Sequence, residues 1–215
     1  MAFPTWKLRT VLPVLFPDSV GLLLEPPEAK LNLGAGLGEG ADEEFTNVDR
    51  GYQQAFHRTV QEGKLLVKAD IRDLSGVFEP GSAAIVYTHH VLEHIPHSQA
   101  KAVLKHWVSL LRPGGLLYVC VPDILWAIAC AIRGPTWQTV SPERRWAGPP
   151  ISWEQVNGLI YQGSDHLAAW WSSALIGAMA EAGLDPVREW KGDRTKTASF
   201  LPSCETTVIG RKKAG

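Results

Sequence analysis

The sequence contains little of what holds a small secreted protein or a membrane protein together. Only three cysteines occur among its 215 residues, and no pair of them has the CxxC spacing of redox and zinc motifs. Two of the three lie in apolar runs, where a free thiol acts as a small core residue. Prolines 4, 13 and 17 interrupt the N-terminal apolar stretch before it reaches the roughly 20 residues that span a bilayer. We therefore predict a cytoplasmic protein with no targeting segment.

The chain also lacks an excess of charge of either sign. It has 21 Lys+Arg and 22 Asp+Glu, for a net charge of −1, and the longest basic cluster is the short run 211–213 near the end of the chain. This composition predicts neither a nucleic-acid-binding surface nor a membrane-binding one. With 45% apolar residues, the chain is long enough to bury one substantial core, so a single domain is expected.

Glycine is abundant in one stretch, residues 30–49. Gly34 and Gly36 directly follow the apolar run that ends at Leu33, and two further glycines continue the alternation at positions 38 and 40. Glycines after a strand allow positive φ and a close approach of the backbone to a ligand. Asp49 follows a second short apolar run, where a carboxylate can accept both hydroxyls of a ribose. The pattern favours a nucleoside site, although a simple tight turn has the same composition.

Strand-like and helix-like segments alternate along the chain, which predicts a parallel sheet. A helix is expected at Ser98–Leu111, capped by Ser98 and ended by the Pro-Gly-Gly that follows it. We further expect an N-terminal apron over residues 1–29, the main domain over 30–215, and within it a lid insertion at 123–165 that contains several proline-glycine breaks. Strands are predicted at 31–33, 46–48, 65–69, 84–88, 116–121, 186–190 and 205–210, with further helices at 54–61 and 166–182.

Five segments together resemble the ordered motifs of class I S-adenosylmethionine-dependent methyltransferases, the small-molecule enzymes of the type 11 kind in particular. They are Gly34-x-Gly36-x-Gly38, the acid Asp49, the pair Asp70-Ile71, the run IVYTHHVLEHI at 85–95, and LLRPGGLLYVCVPD at 110–123. The resemblance implies an α/β fold that is Rossmann-like and doubly wound. Its sheet would be mainly parallel and seven-stranded, with an antiparallel edge hairpin and a helical lid insertion.

The same resemblance implies S-adenosylmethionine as the cofactor and methyl transfer to a small-molecule acceptor as the reaction. Asp49 would accept the ribose hydroxyls and Asp70 the adenine amino group, while Ile71 packs against the ring. Asn32 departs from the acidic residue most common at its position. The sequence does not reveal whether the acceptor atom is O, N, C or S. The implied cofactor-binding residues are Asn32, Gly34, Ala35, Gly36, Asp49, Arg50, Asp70, Ile71 and His89.

Candidate residues for the chemistry come from two segments. His89 and His166 are the candidate general bases, which add about 10²–10⁴-fold when the acceptor must lose a proton. For His166 an alternative is a position in the first turn of a helix capped by Ser164 or Asp165. Glu93 is interpreted as an acid that stabilises a helix N-terminus. The predicted substrate-binding residues are His90, His94, Trp126, Tyr161 and His166.

The acceptor class is narrowed only by the lid composition. Lid tryptophans would suit an aromatic acceptor and the arginines at 133, 144 and 145 an acidic one, although core packing and solvated surface account for them equally well.

Three other functions remain open. The run from His90 to His94 matches the HxxEH pattern of inverted zinc peptidases, but His90 is expected at a strand end rather than on a helix, so no metal is predicted. A nucleotide-dependent oxidoreductase is disfavoured because Glu39 occupies the third glycine position of the GxGxxG fingerprint. A methyltransferase-like module that binds a partner without catalysis has the same sequence signature.

Overall fold

The computed structural model describes residues 29–36, 42–51, 58–61, 63–133, 165–190 and 205–214, with the backbone alone at 58–61 and 129–133. The predicted apron, apart from Ala29, and most of the predicted lid lie outside these ranges. Within them no helix is long and apolar enough to cross a membrane.

One mixed sheet forms the centre of the described fold. Its strands are β1 (Ala29–Leu33), β2 (Thr46–Val48), β3 (Arg58–Gln61), β4 (Lys64–Val67), β5 (Ala83–His89), β6 (Leu111–Pro122), β7 (Leu184–Glu189) and β8 (Glu205–Lys212). Their order in the sheet is β3-β4-β2-β1-β5-β6-β8-β7. Strands β4, β2, β1, β5 and β6 run parallel, and β7 and β8 form the predicted antiparallel hairpin at one edge.

The predicted seven-stranded Rossmann-like sheet is therefore present, with β3 as an additional strand at its other edge. We had assigned residues 54–61 to a helix. The prediction is wrong for Arg58–Gln61, which pairs antiparallel with β4. A four-residue segment carries too little periodicity to separate the two states, and its pairing with β4 decided the outcome.

Three helices and one short turn connect the described strands. They are the 3₁₀ turn Leu92–His94, α1 (His97–Leu110), α2 (Ile124–Arg133) and α3 (Ser172–Glu181). The predicted Ser98–Leu111 helix is confirmed with a shift of one residue, although Pro96 and not Ser98 is its N-cap. The predicted helix 166–182 begins only at Ser172, because residues 166–171 are extended.

The apolar faces of α1 and α3 bury the core against the sheet. Trp107 of α1 is fully buried, and its indole Nε1 donates a 2.8 Å hydrogen bond to the Ile71 carbonyl. Leu175 and Met179 of α3 are fully buried in the same cluster. This packing fixes the carboxyl ends of β1, β2 and β5 at one edge of the sheet. Strand order reverses between β1 and β5, and such a switch point is where open α/β sheets bind ligands.

Candidate active site

The loop after β1 lies against the segment that follows β5. Gly34 has φ +73°, and its amide donates a 2.8 Å hydrogen bond to the Val48 carbonyl. A Cβ at this position would lie 2.4 Å from Val91 Cγ2. Only glycine satisfies both the backbone conformation and this contact, so Gly34 brings the two halves of the switch point together.

Gly36 and Asp49 form the next part of the edge. Gly36 has φ +67°, with no atom of the described residues within 4 Å of where a Cβ would be. Its amide donates a 2.9 Å hydrogen bond to Asp49 Oδ2, and the Gly51 amide donates one of 2.7 Å to Oδ1. Each carboxylate oxygen has a further lone pair. Asp49 can therefore brace the glycine loop and still accept ligand hydroxyls.

Asn32 supports this loop from below. It is only 4% exposed, and its side-chain Nδ2 donates a 3.0 Å hydrogen bond to the side-chain Oδ1 of Asn47. Asn47 in turn donates to the carbonyls of Asp42, Phe45 and Leu65. The structure thus places Asn32 within a buried amide network. Ala35 is also buried, and its amide donates to the Val48 carbonyl at 3.3 Å.

Asp70 and its neighbours follow β4 at the same edge. The Arg72 guanidinium donates to both carboxylate oxygens of Asp70, with Nε 2.9 Å from Oδ1 and 3.1 Å from Oδ2. These hydrogen bonds from Arg72 lower the pKa of Asp70. Ile71 packs against the core and accepts the Trp107 hydrogen bond through its carbonyl. Arg50 is exposed beside Asp49, and its charge further favours the ionised form of Asp70.

Four side chains gather where β5, β6 and β8 meet, and we name them the β5–β8 cluster: His89, His90, Cys120 and Glu205. Oε1 of Glu205 lies 2.9 Å from His90 Nε2 and 3.6 Å from His89 Nε2. Burial acts to raise the pKa of Glu205, but the interactions with the two histidines outweigh it and lower that pKa to about 2. His89 and His90, both predicted as site residues, thus lie beside the ionised carboxylate of Glu205.

Glu93 differs from the interpretation that its sequence position suggested. It lies in a 3₁₀ turn of three residues, not at the start of a regular helix, and it is only 2% exposed. Among the described residues neither of its carboxylate oxygens has a hydrogen-bond partner. His90 Nδ1 lies 3.8 Å and His166 Nε2 4.0 Å from Glu93 Oε1. Burial raises the pKa of Glu93 to about 8. A carboxylate of that pKa is an effective base near neutral pH.

The extended segment 165–170 brings His166 to Glu93. The amides of Leu167 and Ala168 donate to the Glu93 carbonyl at 2.7 and 3.0 Å. His94 Nδ1 lies 3.0 Å from the Asp165 carbonyl oxygen, and the His94 and His166 rings make an edge contact at 4.9 Å. His166 therefore lies in a non-helical segment, and the helix-capping alternative is wrong because the next described helix begins only at Ser172.

A pocket opens between this segment and the start of α2. Its lining residues include Glu93, Asp123, Trp126, His166 and Trp170. The Ile124 amide donates a 3.0 Å hydrogen bond to the Trp170 carbonyl. This bond joins the start of α2 to the 165–170 segment. Two of the predicted substrate-binding residues, His166 and Trp126, thus line the same pocket. Tyr161 lies outside the described residues.

His90 and His94 do not form the peptidase arrangement. β5 ends at His89, and His90 has φ +54°, outside any helix. The two rings have different neighbours: His90 contacts the Glu205 carboxylate, and His94 contacts the His166 ring. The HxxEH match is therefore not a shared helical face.

Sequence reasoning missed three residues of this edge. The apolar run around Cys120 predicts a buried core residue. The sequence pattern places Glu205 only at the start of a strand and Asp123 only at the start of the lid. One signal could have found two of them. Asp123 directly follows β6, whose carboxyl end is at the ligand edge, and Glu205 begins a strand antiparallel to β6, so both lie beside the end of β5.

Comparisons with known proteins agree with this architecture. The sequence profile of the methyltransferase-domain family matches residues 23–189. No curated protein sequence is significantly similar to the chain. Among solved structures, a methyltransferase of Thermotoga maritima described as a possible histamine N-methyltransferase aligns with a TM-score of 0.54 at 14% identity, covering 97% of this chain and 88% of the other.

Two further structures have similar scores. An S-adenosylmethionine-dependent methyltransferase of Archaeoglobus fulgidus aligns with a TM-score of 0.52 at 13% identity, covering 96% of this chain and 92% of that one. A phosphoethanolamine N-methyltransferase of Haemonchus contortus, in complex with phosphomonomethylethanolamine and S-adenosylhomocysteine, gives 0.50 at 13% identity, with coverage of 96% and 52%. At such identities these structures support the fold. Because the family profile spans most of the sequence and the sheet is mainly parallel with the predicted antiparallel edge hairpin, the chain belongs to the methyltransferase-domain family, with the class I, S-adenosylmethionine-dependent architecture that its motifs resemble.

Proposed function

We propose that this chain transfers the methyl group of S-adenosylmethionine to a small-molecule acceptor that donates a hydrogen bond to Glu93. One observation carries the proposal: a carboxyl group only 2% exposed, lining a pocket, with no hydrogen-bond partner among the described residues. Leaving a buried acceptor unsatisfied costs about 1–3 kcal/mol. Such a cost is typical of a group whose partner is a ligand.

The cofactor half of the site fits the ligand that the family implies. Gly36 has no atom of the described residues within 4 Å of where a Cβ would be, and Gly34 has positive φ, so the described backbone can approach a bound nucleoside closely. In this proposal Asp49 accepts ribose hydroxyls with the lone pairs that the Gly36 and Gly51 amides leave available, and Asp70 accepts the adenine amino group, as the family resemblance implies. When bound, S-adenosylmethionine would supply the methyl group from its sulfonium centre, and the sulfur would leave as a neutral thioether.

Glu93 is the base in this proposal, and His166 holds the acceptor beside it. As the acceptor's lone pair forms a bond to the methyl carbon, its N–H or O–H proton passes to a Glu93 carboxylate oxygen. Placing the acceptor in line with the methyl carbon contributes roughly 7–11 kcal/mol to such reactions. His89 is the other predicted base. Because its Nε2 lies 3.6 Å from Glu205 Oε1, we assign the proton transfer to Glu93 and not to His89.

The described pocket favours one of the two predicted acceptor types. Its walls carry two carboxyl groups, Glu93 and Asp123, and the indole rings of Trp126 and Trp170. The Asp123 carboxylate repels an anionic acceptor, whereas indole rings stack on a flat acceptor and attract a cation. We therefore propose a neutral or basic, aromatic-sized acceptor in place of an acidic one.

Asp49→Ala tests the cofactor assignment. We expect the dissociation constants of S-adenosylmethionine and S-adenosylhomocysteine, measured by calorimetry, to rise about 10- to 100-fold, since a hydrogen bond to a charged group contributes about 1.5–3 kcal/mol and about 1.4 kcal/mol is tenfold. Asp73→Ala is the matched control, because Asp73 caps a nearby turn through Ser75. An unchanged affinity in Asp49→Ala, or no binding by the unaltered protein, would reject the assignment.

Acceptor use requires a separate measurement. Pools of small amines, phenols, thiols and carboxylic acids are incubated with the protein and a methyl-labelled donor, and labelled products are identified. Labelled product from the amine or phenol pools supports the proposal. Tight cofactor binding without transfer to any pool would instead identify a non-catalytic binding module.

A further inference from the structure

The β5–β8 cluster combines four side chains of the kinds that ligate metals. Two imidazoles, one thiol and one carboxyl group come from three neighbouring strands or their ends, and their ligand atoms all lie within 4.8 Å of one another. His89 and Cys120 face each other across the β5–β6 pairing, and Glu205 pairs with Pro122 at the start of β8. The sheet register therefore holds the group together.

The distances within the cluster suit a tetrahedral site. Bonds of 2.0–2.3 Å at tetrahedral angles place neighbouring ligand atoms about 3.3–3.8 Å apart. Glu205 Oε1 lies 3.6 Å from His89 Nε2 and Glu205 Oε2 lies 3.5 Å from Cys120 Sγ, both within this range. The distance of 2.9 Å between Glu205 Oε1 and His90 Nε2 is a direct contact and has to lengthen by about 0.4 Å when both atoms bind one ion. The largest separation in the cluster, up to 4.8 Å, needs to shorten by about 1 Å to reach that geometry, which side-chain rotation can supply.

The backbone at His90 is a second, independent observation. Its φ of +54° makes it the non-glycine residue with positive φ in the described part of the chain. A non-glycine residue in this region costs of order 1–3 kcal/mol, and such strain concentrates at functional sites. A 3.0 Å hydrogen bond from the His90 amide to the Cys120 carbonyl fixes this conformation. The strained backbone turns the imidazole toward Glu205 and Cys120.

Burial and the surroundings of His90 point the same way. Cys120 is 4% exposed, and the Glu205 side chain is 7% exposed. His90 presents Nε2 to Glu205, while its Nδ1 lies 3.8 Å from Glu93. Histidine ligands commonly have a carboxylate near the second ring nitrogen, which orients the ring.

We propose that the β5–β8 cluster binds one divalent transition-metal ion, with Zn²⁺ the best match to its two nitrogens, one sulfur and one oxygen. Four protein ligands close a tetrahedral site, so the ion joins the β7–β8 hairpin to β5 and β6 at the ligand edge of the sheet. The proposal does not depend on methyl transfer. Without an ion, the same residues form a hydrogen-bonded acid–base group, and experiment separates the two.

The test uses the full chain, free of any histidine tag and stripped with a chelator. We expect calorimetry with Zn²⁺ to give one equivalent bound, and Co²⁺ to give the intense visible bands of a tetrahedral ion with a thiolate-to-metal band in the near ultraviolet. Zinc at about 100 times its dissociation constant should raise the melting temperature by about 5–10 °C. Less than half an equivalent of bound zinc would overturn the proposal.

Variants locate the site. Cys120→Ser should remove the thiolate band, and both it and Glu205→Gln should weaken zinc binding by at least about 100-fold, because even residues that only support ligands contribute 10–100-fold. Cys130→Ser is the matched thiol control and should bind zinc normally. His94→Gln tests the neighbouring group of Glu93, His94 and His166. Loss of binding in His94→Gln with retention in Cys120→Ser would overturn the assignment.

Thermal unfolding of each metal-free variant separates lost binding from lost folding. A Cys120→Ser protein that unfolds cooperatively near the temperature of the metal-free parent retains the fold, so its zinc affinity reports on the ligand alone. Should this variant fail to fold, Glu205→Gln provides the same reading from the opposite strand.

Discussion

Replacing Glu93 with glutamine is expected to lower the rate of methyl transfer about 10²–10⁴-fold, the usual contribution of a general base. Glutamine preserves the volume of a side chain that is 2% exposed but cannot accept the acceptor's proton. The measurement is labelled-product formation with the best acceptor from the pooled screen, at saturating donor. Calorimetry with S-adenosylhomocysteine should give an unchanged affinity, since Glu93 lies on the acceptor side of the proposed site.

A matched control checks that this loss is specific. Glu181→Gln removes a carboxyl group that is exposed on α3 and paired with Lys101 at 2.8 Å, and it should leave the transfer rate unchanged. A Glu93→Gln protein with full activity would reject Glu93 as the base.

Glu93→Met separates a functional carboxyl group from a structural one. Because its oxygens have no hydrogen-bond partner among the described residues, an apolar side chain of similar size should stabilise the fold by about 1–3 kcal/mol. The melting temperature should then rise by roughly 2–10 °C while transfer is lost. A lower melting temperature would mean that the contacts with His90 and His166 hold the fold together.

Replacing Gly34 with alanine is expected to affect both stability and cofactor binding. The new Cβ would lie 2.4 Å from Val91 Cγ2 at a φ of +73°. The left-handed conformation costs about 1–2 kcal/mol and the overpacking about 1–3 kcal/mol. Together these should lower the melting temperature by about 5–15 °C. Displacement of the loop should also weaken S-adenosylhomocysteine binding, as measured by calorimetry.

Gly36→Ala and a double variant distinguish the two costs. Gly36 has a similar φ of +67° but no described residue within 4 Å of where its Cβ would be, so its substitution is expected to carry the conformational cost alone and to destabilise less. In Gly34→Ala/Val91→Ala the nearest Val91 atom is Cβ at 3.4 Å, an ordinary contact. The double variant should therefore be more stable than the sum of the two single effects predicts. Strict additivity in urea unfolding would contradict the close approach of Gly34 and Val91.

The cofactor edge could be predicted from sequence because its determinants are local. Gly34, Gly36 and Asp49 each directly follow a short apolar strand, and parallel strands place their carboxyl ends at one edge. Glycine at positive φ and an acid after a strand are therefore readable from neighbouring residues alone. The structure places all three together as expected, and the roles assigned to them as cofactor ligands stay predictions.

The acceptor side could not be predicted in the same way. The helix predicted at 166–182 begins at Ser172, because the amides of Leu167 and Ala168 bond to the Glu93 carbonyl. That partner is more than 70 residues away in the sequence, and local helix propensity contains no information about it. The same contact buries Glu93, which the sequence places in an ordinary helix start.

The sequence by itself determined the family, the mainly parallel sheet with its edge hairpin, and the glycine loop between Lys30 and Asp49, since these follow from motif order, from strand spacing and from backbone conformations that only glycine adopts freely. The tertiary structure decided which polar side chains meet. Cys120 and Glu205 are 85 residues apart, and the antiparallel pairing of β6 with β8 brings them into contact with His89 and His90. Glu93 acquires its raised pKa from burial by a distant segment. Proximity and desolvation of this kind arise only when the chain has folded.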